Sequence, residues 1–416
     1  MLNKTKKCIS KCIKLPRDKC YKGCIFTRKN YCKLSSKYKM DPNNNCKIVL
    51  NKNITFNKNI TFNKSVSKIQ IPEKEILSPI KSYSPKINEF LVQSRYSPKY
   101  DIFSSILECM NLTHDEYKSK QSILNYYINP KIKLKNGTCV SYWNNDAQKL
   151  FMDNLSKHHI VNIKTLIGPK QSLYNCWFNT GFMINYISDK GRKFNKYFRQ
   201  FMITGKSPKM KSYLKKIKAP LFLLNIAIEA TLQGNELATI MNTNDIIEKI
   251  YKNIPKEYKK TKYIFDVKEY GNPYMYQMSI LNYLSNKVDQ HFISGKLLFE
   301  YNKIHNKIKN NEDVLWVEIS NSESNIVKNK KDKLINEDNI IYGLDSILLR
   351  DVDKKHFCCL ITINKKEYIY DGASEPSIKL FEWKKYINTN KSFRLNENSA
   401  KWNFMDGYQV LNYYRI

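Results

Sequence analysis

Glycine is scarce, at 12 in 416 residues. No Gly-rich loop of the kind that cradles phosphates occurs, which sets aside the dinucleotide- and nucleoside-triphosphate-binding classes. Long apolar runs are missing too. The longest, Leu221 to Ala230, is interrupted by Asn225 and Glu229, whereas a bilayer span needs about 20 apolar residues. No apolar stretch follows Met1-Leu2-Asn3-Lys4, so a secretory signal is not expected. Acidic residues are few, 37 against 71 Lys and Arg, for a net charge of +34. His114, His158, His159, His291 and His305 lack Cys, Asp or Glu at metal-ligand spacing and read as structural or surface residues. No metal and no cofactor are expected.

What is present supports a folded chain of one or two domains. Hydrophobic residues make up 42% and aromatics 13%, led by 29 Tyr, enough for a sizeable mixed α/β core and too much for wholesale disorder. The charge is uneven. Residues 1–100 hold 23 Lys and Arg against 5 Asp and Glu, so over half of the excess lies in the first quarter. Such density suits an anionic partner, nucleic acid or capsid proteins, and equally a solvated tail in a Lys-rich chain.

The same quarter is rich in cysteine: Cys8, Cys12, Cys20, Cys24, Cys32 and Cys46 are six of 11. The first four are spaced C-x3-C-x7-C-x3-C, which sets thiol pairs one helical turn apart around Pro16. Disulfides and zinc are both compatible with these six. A segment of about 46 residues needs such a staple, because it is too short to bury a core. The hexamer Asn51 to Phe56 recurs as Asn57 to Phe62, and Pro72, Pro79, Pro85 and Pro98 follow, a linker composition. The expected division is a basic Cys-rich leader at 1–46, a linker at 47–100 and a folded domain at 101–416.

Within that domain, chemistry-bearing residues fall in the order Gln171, Cys176, His356, Asp371. A free thiol titrates near ~8.5 and is mostly protonated at neutral pH, so a nucleophilic cysteine needs an imidazole beside it and profits from a helix N-terminus. Phe178, Phe182 and Tyr186 fall at helical spacing directly after Cys176, which predicts a helix opening there and stopping at Gly191. His356 would take the thiol proton, Asp371 would orient the imidazole, and Gln171 would donate its amide to an oxyanion. Singly, each has a plainer reading: a buried small side chain, a strand histidine, an Asp-Gly turn.

The contexts of these residues resemble the ubiquitin-specific protease family of deubiquitinases. The resemblance rests on Gln171 five residues before Cys176-Trp177, on Tyr342-Gly343-Leu344, on Lys355-His356-Phe357, on Tyr368-Ile369-Tyr370-Asp371, and on the closing Gly407-Tyr408-Gln409-Val410-Leu411-Asn412-Tyr413-Tyr414-Arg415. It implies a thiol isopeptidase with a papain-like fold, and ubiquitin, a ubiquitin-like protein or a viral polyprotein as substrate. The family's Gly-Asn-Thr before the nucleophile is here Tyr174-Asn175 after Leu173. Its Gly before the histidine is Lys355, and the second Asp of its Asp-Asp is Gly372. The zinc-bearing Cys pairs of its fingers are absent, since no cysteine lies between Cys176 and His356. The run Thr27 to Met40 looks similar to segments in proteins of large eukaryotic DNA viruses, which implies a host-cytoplasmic or virion setting. Two other functions stand beside the peptidase: a virion-associated structural protein on an inactive scaffold of this type, docked through the leader, and a nucleic-acid-binding module.

Periodicity completes the expected fold. Helices are predicted over 101–110, 114–128, 142–155 and 189–205, with two or three more over 219–251. The basic, aromatic 189–205 stretch reads as an amphipathic helix packing its rings inward, or as a nucleic-acid face. Short β-branched and aromatic runs follow at 314–319, 346–349, 357–363, 367–370 and 408–414. Helices first and antiparallel strands after is an α+β order, with the cysteine on a helix of the N-terminal lobe and His and Asp on the sheet.

Overall fold

The computed structural model describes four short strands between residues 24 and 50. From residue 102 onward it describes all but 114–130, 157–160, 162, 206–210, 235–237, 239–241, 257–258, 260–263, 285–289, 300–311, 337, 352–355 and 398. The chain divides into two compact units, residues 1–68 and 69–416. In the first, β1 (Cys24–Phe26) pairs antiparallel with β2 (Cys32–Leu34), and β3 (Tyr38–Met40) with β4 (Ile48–Leu50). Cys24, expected on a helical turn, therefore opens a strand. Strand β4 falls at the start of the expected linker; Cys8, Cys12, Cys20 and Cys46, the repeat, the rest of the linker and the predicted 114–128 helix lie outside the described residues, as do His114, His158, His159 and His305.

The second unit begins with helix α1 (Ile102–Cys109) and the hairpin β5 (Lys131–Lys133) and β6 (Cys139–Ser141). A disulfide between Cys109 and Cys139 joins them, a pairing that the cysteine spacing did not suggest. Ile106 and Leu107 are fully buried, at 0% and 1% exposure. A chain beginning at residue 101 is accordingly expected to unfold in one cooperative thermal transition. One beginning at 112 should lose several kcal/mol, about 2–5 for each large apolar side chain withdrawn from a core. Calorimetry of the two truncations checks this.

The helical lobe continues with α2 (Asn145–Ser156), α3 (Cys176–Phe182), α4 (Asp189–Phe194), α5 (Lys196–Thr204), α6 (Lys211–Gln233), α7 (Thr243–Asn253) and α8 (Pro273–Tyr283). The helix opened by Cys176 does not run to Gly191. It widens into a π-helical segment, Met183–Ile187, and breaks at Ser188, whose hydroxyl accepts from the Gly191 amide and caps α4. Gly191 sits inside α4 because a Cβ there would lie 1.9 Å from the Ile184 carbonyl oxygen. In α4 and α5 the rings of Phe194, Tyr197, Phe198 and Phe201 are buried, as predicted for an amphipathic element, and so are Lys190, Lys193 and Arg199. These cations are not presented as a nucleic-acid face.

Among the described residues the sheet has eight strands in the order β13 (Ile378–Leu380), β12 (Lys366–Tyr370), β11 (His356–Ile363), β10 (Ile341–Asp351), β16 (Tyr408–Arg415), β8 (Val314–Ile319) and β7 (Gln290–Ser294), with β9 (Lys333–Ile335) added to β10; β14 (Ser392–Phe393) and β15 (Trp402–Asn403) pair apart from it. It is not wholly antiparallel as expected: β7 pairs with β8 in parallel. Side chains alternate along each strand. Cys359, Ile361 and Ile363 join the core shared with the helices. Cys358 and Leu360 join a second core on the other face with Trp383, Trp402 and Phe404. Both faces being covered, the strands read as near-continuous apolar runs.

One hairpin carries two of the chemistry-bearing residues. Strands β11 and β12 pair from Cys359 opposite Tyr370 to Ile363 opposite Lys366, so the turn is just Asn364-Lys365. Both residues take positive φ, 50° and 63°, as a two-residue type I′ turn requires. Their amides donate to the two carboxylate oxygens of Asp189, at the start of α4, at 3.0 and 2.9 Å.

Candidate active site

Helix α3 lies wholly buried against the sheet, with Cys176 its first residue. Its polar side chains explain how it is seated. The Thr180 hydroxyl donates to the Cys176 carbonyl at 2.7 Å and approaches the Phe357 carbonyl at 3.4 Å, tying the first turn to the strand that carries His356. Gly181 admits Pro273 of α8, whose Cβ lies 2.9 Å from where a Cβ at 181 would stand.

The segment before the nucleophile is held by amides. Asn175 is fully buried. Its Oδ1 accepts from the Ser172 amide at 2.9 Å, and its Nδ2 donates to Thr243 Oγ1, also at 2.9 Å. Asn244 Nδ2 donates to the Ser172 carbonyl and hydroxyl oxygens at 3.1 and 2.7 Å. The N-terminus of α7 thus braces the loop. With both ends of its amide engaged, Asn175 brackets the loop before Cys176. Next to it, Leu173 and Tyr174 are 68% and 46% exposed, and Leu173 holds φ 54°. Tyr174 packs edge-on against the exposed Tyr270, with ring centroids 5.1 Å apart.

His356 opens β11 and Asp371 directly follows β12, so the open end of the hairpin brings together residues 15 apart in sequence. The His356 Nε2 lies 2.8 Å from Asp371 Oδ1. Asp371 is 1% exposed and fully engaged: Oδ1 also accepts from the Ala373 amide at 3.0 Å, and Oδ2 from the Ser374 hydroxyl at 2.7 Å. Burial pushes its carboxyl up, but the hydrogen bond and charge of His356, with those two donors, outweigh this and hold it below the usual carboxylate range.

The Cys176 side chain is the other group that acts on the His356 imidazole. With Nε2 turned to Asp371, Nδ1 is the atom left for sulfur. Burial alone would pull His356 down; the hydrogen bond to Asp371 and the influence of Asp371 and Cys176 prevail and raise it to about 9. The ring of Trp402 lies alongside, centroids 5.8 Å apart. Cys358 and Cys359 are buried, and burial pushes both thiols well above their ordinary value.

Gln171 lies where the strand end and the nucleophile loop meet. Its backbone amide donates to the Gly372 carbonyl at 2.8 Å. Its side chain is held lightly, Nε2 reaching the Leu173 carbonyl at 3.5 Å while the buried Oε1 has no partner. Residue order and local context single out Gln171, Cys176, His356 and Asp371. They miss Thr180, Asn175, Thr243, Ser374 and Trp402, whose signals are polar or aromatic residues with no local pattern.

No family model and no curated protein matches this sequence. Among solved structures, the SAGA Ubp8/Sgf11/Sus1/Sgf73 DUB module bound to ubiquitin aldehyde is similar with a TM-score of 0.39 and 10% identity, over 61% of this chain and 70% of that one. The same module bound to monoubiquitin gives 0.38 and 10%, over 81% of this chain and 96% of that one. The yeast SAGA DUB module with an Sgf73 variant gives 0.28 and 10%, over 61% and 69%.

Proposed function

We propose that this protein is a thiol-dependent isopeptidase of the deubiquitinase type, with Cys176 as nucleophile, His356 as base and acid, Asp371 as its orienting carboxylate and Gln171 as oxyanion donor. The observation that carries the reading is the His356 imidazole held 2.8 Å from a buried, fully engaged carboxylate, with Cys176 at the start of a buried helix acting on the same ring. A substrate's C-terminal tail would present its carbonyl to Cys176. The thiolate adds to the carbonyl carbon and the displaced electron pair collects on oxygen, where an amide N–H is worth most. The His356 proton passes to the amine nitrogen as the C–N bond breaks, leaving a thioester. Water then gives a proton to His356, its oxygen attacks the thioester, and the tail leaves as a carboxylate with the thiolate restored.

An electrophilic ubiquitin probe, such as a C-terminal vinyl sulfone, is expected to label Cys176. No labelling by ubiquitin, ubiquitin-like or general thiol probes would overturn the reading. Gln171→Ala is expected to lower kcat on the order of 10²-fold, the scale for one oxyanion donor. A kinetically silent substitution would transfer that role to a backbone amide or to Asn175.

The pH dependence has a defined sign. His356 is raised, so it keeps the proton it must deliver to the leaving amine until pH approaches about 9. kcat/KM is therefore expected to fall as pH rises through about 9. Asp371→Asn weakens one of the groups that raise His356, and should move this alkaline limb to lower pH. The two pH–rate profiles decide it.

A further inference from the structure

We infer that Tyr370 and Gly372 are positioning residues that hold Gln171 at a fixed place relative to the His356–Asp371 pair, through a clamp on residues 168–171. The inference rests on the oxyanion role of Gln171 proposed above. The Tyr370 side chain is buried, and its hydroxyl donates to the Pro169 carbonyl at 2.5 Å. Two residues on, the Gly372 carbonyl accepts the Gln171 amide at 2.8 Å. The segment therefore runs along the end of β12 as an extra rung, outside the sheet's regular pairing.

Two glycines make this approach possible. A Cβ at Gly168 would stand 2.5 Å from Tyr370 Cε2. One at Gly372 would stand 2.7 Å from the Tyr370 hydroxyl oxygen, 3.1 Å from the Pro169 carbonyl oxygen and 3.3 Å from the Gln171 nitrogen. Neither glycine has positive φ, so the requirement at both is space and not backbone conformation. Gly372 is also where the resembling family carries its second Asp. A side chain there would push against all three atoms of the clamp.

The arrangement gives one tripeptide two tasks. Asp371, in the middle, engages His356 with its side chain. Tyr370 and Gly372, on either side, engage the segment that ends in Gln171. The donor arm and the acid–base arm thus share a mount and move together, while the nucleophile arrives separately on α3.

The test uses Tyr370→Phe, which removes only the hydroxyl, and Gly372→Ala, in the full chain. Residue-resolved amide exchange at Gln171 is expected to quicken at least about tenfold in both, since the donor loses its held acceptor. Turnover of a fluorogenic ubiquitin C-terminal amide should drop in kcat by up to about 100-fold, the loss expected for the donor itself, with KM unchanged. Alkylation of Cys176 by iodoacetamide creates no oxyanion, so its rate and pH profile should stay as in the unsubstituted protein. Adding Gln171→Ala to Tyr370→Phe should cost no more than Gln171→Ala alone. Unchanged exchange at Gln171 overturns the clamp, and so does alkylation that falls in step with turnover, or penalties that multiply. If the unsubstituted protein turns over no ubiquitin-derived substrate, the catalytic reading is what fails; exchange at Gln171 and alkylation at Cys176 still decide the clamp.

Discussion

Cys176→Ala and His356→Ala are each expected to abolish turnover, with losses on the order of 10⁴- to 10⁶-fold, because nucleophile and base act as a unit. Asp371→Asn should cost less than either. It leaves the imidazole in place, and Ser374 and Ala373 still hold the side chain at 371. The penalties of Cys176→Ala and His356→Ala should not multiply in the double substitution, since each alone already disables the pair. Steady-state hydrolysis of a fluorogenic ubiquitin amide measures all of these. Thiol alkylation separates the first two: His356→Ala retains a thiol but should label slowly at neutral pH. Cys358 and Cys359 will not confuse that measurement, being buried with raised thiols.

The second large effect concerns stability. Arg199 on α5 and Glu229 on α6 form an ion pair with side-chain exposures of 3% and 2%, and the Arg199 Nε donates to Asn225 Oδ1 at 3.1 Å. Removing one partner leaves an uncompensated charge in the helical core, which costs about 3–5 kcal/mol. Glu229→Ala is thus expected to lower the denaturant midpoint sharply. The paired replacement Arg199→Met with Glu229→Leu should recover most of the loss, because apolar side chains of similar volume fill such sites at little or no cost. Urea unfolding of the three chains tests it. A single substitution costing under about 1 kcal/mol would mean that the pair is hydrated.

Much of the layout was legible in the sequence, for physical reasons. The runs around 314–319, 357–363, 367–370 and 408–414 coincide with β8, β11, β12 and β16, because a strand buried on both faces must be apolar or aromatic throughout. The order of Gln171, Cys176, His356 and Asp371 was legible as a candidate site, since each residue type is tied to a chemical task. Three features were not legible. The parallel strand β7 is short and polar at its start. The break at Ser188 follows from a glycine chosen for close crossing, which looked in sequence like a helix stop. The braces around the site join residues such as Asn175 to Thr243 and Tyr370 to Pro169, 68 and 201 positions apart, and separations of that size leave no local pattern.

The turn at Asn364-Lys365 has a bearing on fidelity of assembly. A β-hairpin that slips by one residue turns every side chain to the opposite face, and here a slip would carry His356 away from Asp371. The slip is countered at the other end of the strands, about 25 Å away at ~3.3 Å per residue. There, the two-residue turn accepts only one pairing, and the Asp189 carboxylate grips both turn amides. Asp189 belongs to the helical lobe, which also supplies Cys176. The lobe that carries Cys176 therefore also fixes the register of the strand that carries His356, and a slipped hairpin would forfeit its Asp189 anchor as well as the His356–Asp371 contact.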